Sequence, residues 1–419
     1  PLMSAAAPLT ASGAGASVLA TGGRAPLPVA ASLNGSTIHT IDYDDTHMAV
    51  VAHFGASVVA AALAAAEMRQ ASGADLVVAV AAGFEMGARV GRAVMPDHYQ
   101  RWHSTASLGG IAAAAATSRV LGLDPLRTEI AVGFAADDTG GTRYCIKEGD
   151  ITKSLHAGNA AWKGTMAALL AESGAAGPTG FLEHELGFVW AYTDERPFDR
   201  LEQIATEAAA DTSWEIARAD IKAHPCILSS HTAIEGALRI TRRHDLRLDD
   251  IEAVILHQPA YSDRHGLNYR PTSAMAARLS VPYCVVAAIR DGRVGLDQFA
   301  GDRFADPATR SHMDKVTIAP DPSLATAYPG SAPTRVEIRT TGGSRHTEEV
   351  GHARGSHERP LDADEFAEKQ RELLGRRLHS AEIDRWLDLT GRLEGLPAVD
   401  ELCALLRTNP PHAPERSAT

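Results

Sequence analysis

Between residues 39 and 55, in the stretch HTIDYDDTHMAVVAHFG, the chain sets Asp42, Asp44, Asp45 and His47 close together, with His39 and His53 on either side. Carboxylates and imidazoles at this density can form a solvated acidic loop, hold a metal, or pass protons. Asp44 and Asp45 also suit the capping of the helix that follows, which is the commoner structural use of such a pair. His47 and His53 are six positions apart, so they do not stack on one helix face as an i, i+4 metal pair would. The spacing therefore ranks proton transfer above metal binding and leaves the structural reading open.

Further stretches carry chemistry of a compatible kind. In RWHSTASLGG, His103 stands just before a helix start, where oriented amides favour an anion, although a lone His there is commonly a capping or packing residue. In GDITKSLHAGNAAWKG, Lys153 and His156 lie at the mouth of a Gly/Ala-rich helix with Thr152 as its expected N-cap. A lysine at a helix N-terminus opposes the dipole, and that conflict hints at a purpose other than solvation. IKAHPCILSSH supplies Lys222, His224 and His231. LSVPYCVVAAI supplies Tyr283, a residue type that more often fills a core with its hydroxyl bonded once. Cys226 and Cys284 have no base beside them in sequence and read as packing residues.

The elements needed to bring these groups together are legible as two textures. After an irregular start reaching GGRAPLPVAASLNG, apolar spacing of helical period runs through 55–73, 74–94, 104–123, 125–138 and 152–174. Ala and Gly at this density let helices approach closely, so residues 1–195 read as an all-helical domain. From 196 to 355 strands are expected at 251–258, 314–320 and 334–350, the last a hairpin turning at Gly342-Gly343. Helices at 232–243 and 272–290 interleave with them, which makes an α+β lid domain. Helices return at 362–375, 379–391 and 396–407, so residues 356–419 are expected to pack back on the helical domain, ending in a frayed tail.

Composition bounds the function. The 419 residues carry 40 Lys plus Arg against 52 Asp plus Glu, a formal charge of −12 that excludes a broad nucleic-acid or anionic-membrane surface and leaves room for a local pocket for small anions. The four cysteines are widely dispersed without a C-x-x-C pair, which fits a reducing, cytoplasmic compartment and argues against structural zinc or iron–sulfur. The opening Ala/Gly/Ser-rich stretch lacks the basic and apolar blocks of a signal peptide, and no apolar run is long enough to span a bilayer.

Taken in order, NGSTIHTIDYDDTH, AHFG, WHST, ITKSLHAGNAAWKGTMAALLAESGAAGPTGFLE, KAHPCILSSHTAIEGAL and LSVPYCVVAAI resemble the motif series of the MmgE/PrpD family, over about residues 20–375. DYDDTH and K-x-x-H-x-G-x-A-A-x-x-G are the most specific strings. The resemblance implies a mainly α protein with α+β content: a large helical domain, a smaller α+β lid, a homodimer, and a metal-free and cofactor-free site in the cleft between domains. Its site residues fall on Asp42, Thr46, His53, His103 and Lys153 of the helical domain and on Lys222 and Tyr283 of the lid; His47 joins Thr46, Lys153 and Lys222 as an expected substrate contact. The family normally begins with several more helices, so the helical domain is expected to lack its first ones. Phe54 stands where the family usually has Pro, so the local turn and substrate size are expected to differ, and Ala276 stands where an acidic residue usually precedes the later motif.

The reaction so implied is lysis, by dehydration or decarboxylation, of a small carboxylate-bearing substrate. His103 would act as base or acid, His53, Asp42 and Tyr283 as proton partners, and Lys153 and Lys222 as carboxylate ligands. An isomerase or epimerase, a dehydratase of a specialised metabolite, and a catalytically silent dimeric binding protein are the alternatives, because all the chemistries begin at the same kind of carbanion-stabilising site. The Ala/Gly-rich helices expose little charge on several faces, which also favours burial against a second copy.

Overall fold

The computed structural model describes residues 15–194, 198–210, 213–259, 268–327 and 330–407. The expected boundary near 195 and the expected frayed tail lie outside the described residues.

The fold is mainly helical, with a smaller α+β part. Its helical part opens with a short hairpin, β1 (Ala16–Val18) and β2 (Gly23–Ala25), followed by α1 (Leu27–Ile38). Helix α1 corrects the reading of an irregular start. Pro28 sits in its first turn, where a missing N–H costs nothing, so a sequence that looks broken by proline is instead launched by it. Strand β3 (Asp45–His47) leads into α2 (Phe54–Arg69), α3 (Gly73–Val94), α4 (Ser104–Leu121), α5 (Pro125–Asp137) and α6 (Thr152–Glu172). Ser72 and Asp124 cap α3 and α5 by accepting from the backbone N–H of Asp75 and Arg127. Thr152 is not the cap of α6. It is the first helical residue, and its N–H donates to Asp150 Oδ1 at 2.8 Å.

Small residues set the spacing of these helices. At Gly158 of α6 an added Cβ would come within 2.0 Å of Ser36 Oγ and 2.3 Å of the Ser32 carbonyl on α1. Nothing larger than hydrogen fits there. Helices α1, α4 and α6 therefore pack almost backbone to backbone, which puts the ends carrying Asp42, His103 and Lys153 within reach of one another.

After α7 (Phe198–Ala210), strand β4 (Ala219–Ile221) pairs antiparallel with β3, Thr46 opposite Asp220. The α+β part holds a four-stranded sheet in the order β6-β5-β7-β8, from β5 (Ile251–Gln258), β6 (Val316–Pro320), β7 (Thr334–Thr340) and β8 (Arg345–Val350). Within this sheet β5 and β6 run parallel and the other pairs antiparallel, and the chain between β5 and β6 carries α9 (Val281–Asp291). Helix α8 (His231–His244) packs on α9 and on β7 and β8, closing a core of Ile234, Ile240, Leu256, Val285 and Ile338. The helix expected over 272–290 is broken at Leu279–Ser280, where Ser280 caps α9 by accepting from the Tyr283 N–H.

Helices α10 (Ala363–Leu374), α11 (Ser380–Gly391) and α12 (Asp400–Arg407) follow. Leu389, Leu396, Val399 and Leu402 enter the same apolar cluster as Phe54, Phe84 and Leu108 of the helical part. Among the described residues no helix is long and apolar enough to cross a membrane.

Candidate active site

The 39–55 segment folds inward. After α1 a single turn of 3-10 helix, His39–Ile41, ends on Asp42, whose φ of 52° is left-handed. Asp enters that region more readily than most residues. The turn aims the Asp42 carboxylate into the protein rather than along the helix. The β3–β4 pairing then brings Lys222, one residue past β4, to the same point. Asp42 Oδ1 accepts from Lys222 Nζ at 2.7 Å and from Lys153 Nζ at 2.9 Å, and the Asp42 carbonyl accepts from Lys222 Nζ at 3.2 Å. Asp42, Lys153 and Lys222 are 1%, 3% and 1% exposed, so this is a buried three-charge cluster with a net positive charge. The second carboxylate oxygen, Asp42 Oδ2, has no partner among the described residues.

A chain of imidazoles surrounds the cluster. His39 Nδ1 donates to Asp44 Oδ2 at 2.6 Å, which leaves His39 Nε2 to accept from Lys153 Nζ at 2.8 Å. His53 Nδ1 donates to the Asp45 carbonyl at 2.7 Å. Since a carbonyl can only accept, the tautomer is set and Nε2 carries the free lone pair. Thr46 Oγ1 lies 3.2 Å from the same Nδ1. His103 stands at the N-cap position of α4, and its Nδ1 is 3.0 Å from His156 Nδ1, so one ring donates to the other. The ring centres of His39 and His53 are 4.6 Å apart, and those of His39 and His103 6.2 Å.

Burial and charge bias these groups in opposite directions. Burial would raise the Asp42 carboxyl, but Lys153 and Lys222 override it and hold it well below the usual range. His53 and His103 are pushed well below an ordinary imidazole, first by burial and then by the neighbouring lysines, so both are neutral at pH 7. Burial works against the charged Lys222 amine, yet Asp42 and Asp44 raise it overall. Asp45 is pushed up to about 7 by burial and by the charge of Asp44. Its Oδ1 accepts from the Gly55 N–H at 2.9 Å, so the capping role open to Asp45 is real alongside the chemical crowding.

These groups line a cavity of about 60 Å³, roughly four to six times the space one water needs. Asp42, Thr46, His53, His103 and Lys153 come from the helical part; Lys222, Leu228, Ser229 and Leu279 come from the α+β part. Tyr283 and His47 lie elsewhere. Tyr283 is fully buried inside the α+β core against Phe299 and Phe304, and its hydroxyl donates to the Gln298 carbonyl, because the Ser280 cap turns this side chain away from the junction. His47 pairs its Nε2 with Glu215 Oε2 at 3.1 Å, since alternation along β3 points it opposite to Thr46.

The structure also brings in residues that sequence reasoning leaves unassigned. His39 is the link between Asp44 and Lys153, and its place in the crowded segment is the available signal. Tyr99 lines the cavity. Lys369 of α10 donates to the carbonyls of Tyr43 at 2.9 Å and Lys222 at 2.7 Å, fastening the Asp42–Lys222 junction from outside. Burial pulls its amine down to about 8. Nothing in the sequence near Lys369 marks it, because its partners are far away along the chain.

A helical body and an α+β part together surround neutral imidazoles, two buried amines and a carboxylate, groups able to bind an anion and exchange protons. The MmgE/PrpD N-terminal domain family matches residues 2–201 and the MmgE/PrpD C-terminal domain family residues 224–394, and the chain belongs to the MmgE/PrpD family. It is 32% identical over 399 residues to the cis-aconitate decarboxylase-like protein oryM of Aspergillus oryzae, an alignment covering 90% of this chain and 82% of that one. It is 28% identical over 402 residues to cis-aconitate decarboxylase of Aspergillus terreus, covering 90% and 81%, and 29% identical over 413 residues to that of Homo sapiens, covering 94% and 82%. The chain is accordingly an enzyme of the lyase type found in this family.

Proposed function

We propose that this enzyme is a cofactor-independent lyase that decarboxylates or dehydrates a small unsaturated or branched acid with two or three carboxylates, of the cis-aconitate kind. The observation that carries this is the pair of buried ammonium groups on one carboxylate, facing neutral imidazoles across a shared cavity. Lys153 and Lys222 are both buried and share one Asp42 oxygen, so they retain attraction for a further anion. Carboxylate groups of the substrate bind there, and the same cations stabilise the electron pair left on carbon as it spreads into an adjacent carboxylate. His53 Nε2, with its tautomer set by Asp45, accepts a proton; His103, joined to His156, supplies or returns one.

In decarboxylation the C–CO₂ bond breaks, its electron pair moves onto carbon, and a ring N–H proton of His103 replaces the lost group, the ring then taking a proton back from solvent through His156. In dehydration the proton leaves carbon first and the hydroxyl departs with a proton from the acid. Asp42 Oδ2, without a partner among the described residues, is free to accept a substrate hydroxyl or acid proton.

The test is turnover of cis-aconitate and 2-methylcitrate, with and without EDTA, by the native protein and His103→Ala. Loss of a general acid/base is expected to cost about 10²–10⁴-fold, and chelation nothing. Turnover of His103→Ala within about threefold of native removes the role given to His103, and loss of turnover on chelation removes cofactor independence.

A further inference from the structure

Beside His103 and His156 lies a third donor that the proton chemistry does not use. Cys145, on the short helix Tyr144–Glu148, is 3% exposed and turns its Sγ to 3.6 Å from His156 Nδ1. That same Nδ1 is 3.0 Å from His103 Nδ1, and the three residues each offer a donor atom within 4.8 Å of the others. A tetrahedral ion with metal–nitrogen bonds of about 2.05 Å and a metal–sulfur bond of about 2.3 Å requires edges of about 3.3 Å between nitrogens and about 3.6 Å between nitrogen and sulfur. Both measured edges are already close to those lengths, so an ion can enter with small shifts of the side chains.

We infer that His103, His156 and Cys145 form an inhibitory site for zinc and similar borderline-soft divalent ions. Two imidazoles and a thiol select zinc over magnesium or calcium, which take oxygen ligands. Binding displaces the thiol proton to solvent and moves the remaining Nδ1 proton to Nε2 of its own ring, so every donor presents a lone pair to the ion. Three protein ligands leave a fourth position for water or a substrate carboxylate. With the thiolate the occupied centre carries one net positive charge, and Asp150 lies near enough to act on His156. Inhibition follows because the ion takes the His103 nitrogen that would otherwise exchange its proton with His156. This consequence rests on the role proposed for His103; occupancy of the site does not.

The experiment uses the native protein and Cys145→Ala, which keeps the proposed proton-transfer groups. Cobalt added to the native protein is expected to give one equivalent of bound ion with a thiolate-to-cobalt band in the near ultraviolet, absent in Cys145→Ala. Zinc is expected to abolish turnover of the native protein reversibly, with EDTA restoring it, and to act at least tenfold more weakly on Cys145→Ala, whose zinc-free turnover is unchanged. A native protein without the band, or a band that survives in Cys145→Ala, overturns the site. Zinc inhibition equal in both proteins overturns it as well and moves the ion to the donors of His39, Asp42, Asp44 and His53. A protein without turnover on any acid counts against the lyase reading, and the cobalt spectrum then decides the metal site independently.

Discussion

Replacing Asp42 by Asn isolates the charge that holds the two parts of the site together. The φ of 52° at this position is not disturbed by the change. Asn enters the left-handed region about as readily as Asp, and the side chain keeps its size and one acceptor oxygen. What disappears is the anion between Lys153 and Lys222, both almost fully buried. Breaking a buried ion pair by removing one partner costs about 3–5 kcal/mol, because the remaining charge keeps its desolvation penalty. The lower half of that range is expected here. Lys153 still donates to His39 Nε2, and Lys222 still donates to the residue 42 carbonyl. At roughly 1 °C per kcal/mol for a chain of 419 residues, the melting temperature should fall by roughly 3–5 °C.

The pH dependence follows from the depressed Asp42 carboxyl. Its contribution is present in full above the unfolded value near 3.8 and is lost as pH falls toward the lower folded value. Native and variant should therefore differ equally from pH 5 to 8 and converge only in strong acid. Urea unfolding followed by circular dichroism reads the difference. Adding Lys222→Met to Asp42→Asn should recover part of the loss, a coupling of about 0.5–3 kcal/mol. A single variant within about 1 kcal/mol of native, or a double variant whose losses simply add, would refute the view that this cluster fastens the helical and α+β parts together.

Other outcomes follow from the same geometry. Tyr283→Phe should lower stability by about 1 kcal/mol, the usual worth of one buried hydrogen bond, and leave kcat unchanged; a large fall in kcat at unchanged stability would return Tyr283 to the reaction. Dicarboxylates should slow hydrogen exchange in 42–53 and 222–231 together, and protection on one side alone would argue against a cleft shared by both parts. Light scattering at micromolar concentration should report a homodimer, consistent with the exposure of Trp162 and Leu170 on α6 and Leu126 on α5; a clean monomer would remove that proposal.

Much of the scaffold can be read directly from sequence, because helical period and turn chemistry are local. The helices expected at 104–123, 125–138 and 152–174, the strand at 251–258 and the hairpin at Gly342-Gly343 all form within a few residues of those bounds. The misses have local causes of another kind. Helix α1 is hidden by prolines that suit a first turn, and β3 and β4 are three residues each, too short to show a period. Residue type and motif mark Asp42, Thr46, His53, His103, Lys153 and Lys222, and all six reach one cavity.

Tertiary structure alone decided which groups face one another. Two elements move expected residues away from the cavity: the Ser280 cap sends Tyr283 into the core, and strand alternation sends His47 to Glu215. Others arrive from a distance, Lys222 through a three-residue strand pair and Lys369 through a returning helix. A sequence states which side chains can ionise. Burial and the neighbours met only after folding determine which do: Asp42 is an anion because two lysines from separate elements converge on one oxygen, and His53 is a neutral imidazole because burial and those lysines disfavour its charge, with a carbonyl accepting from Nδ1–H to set its tautomer.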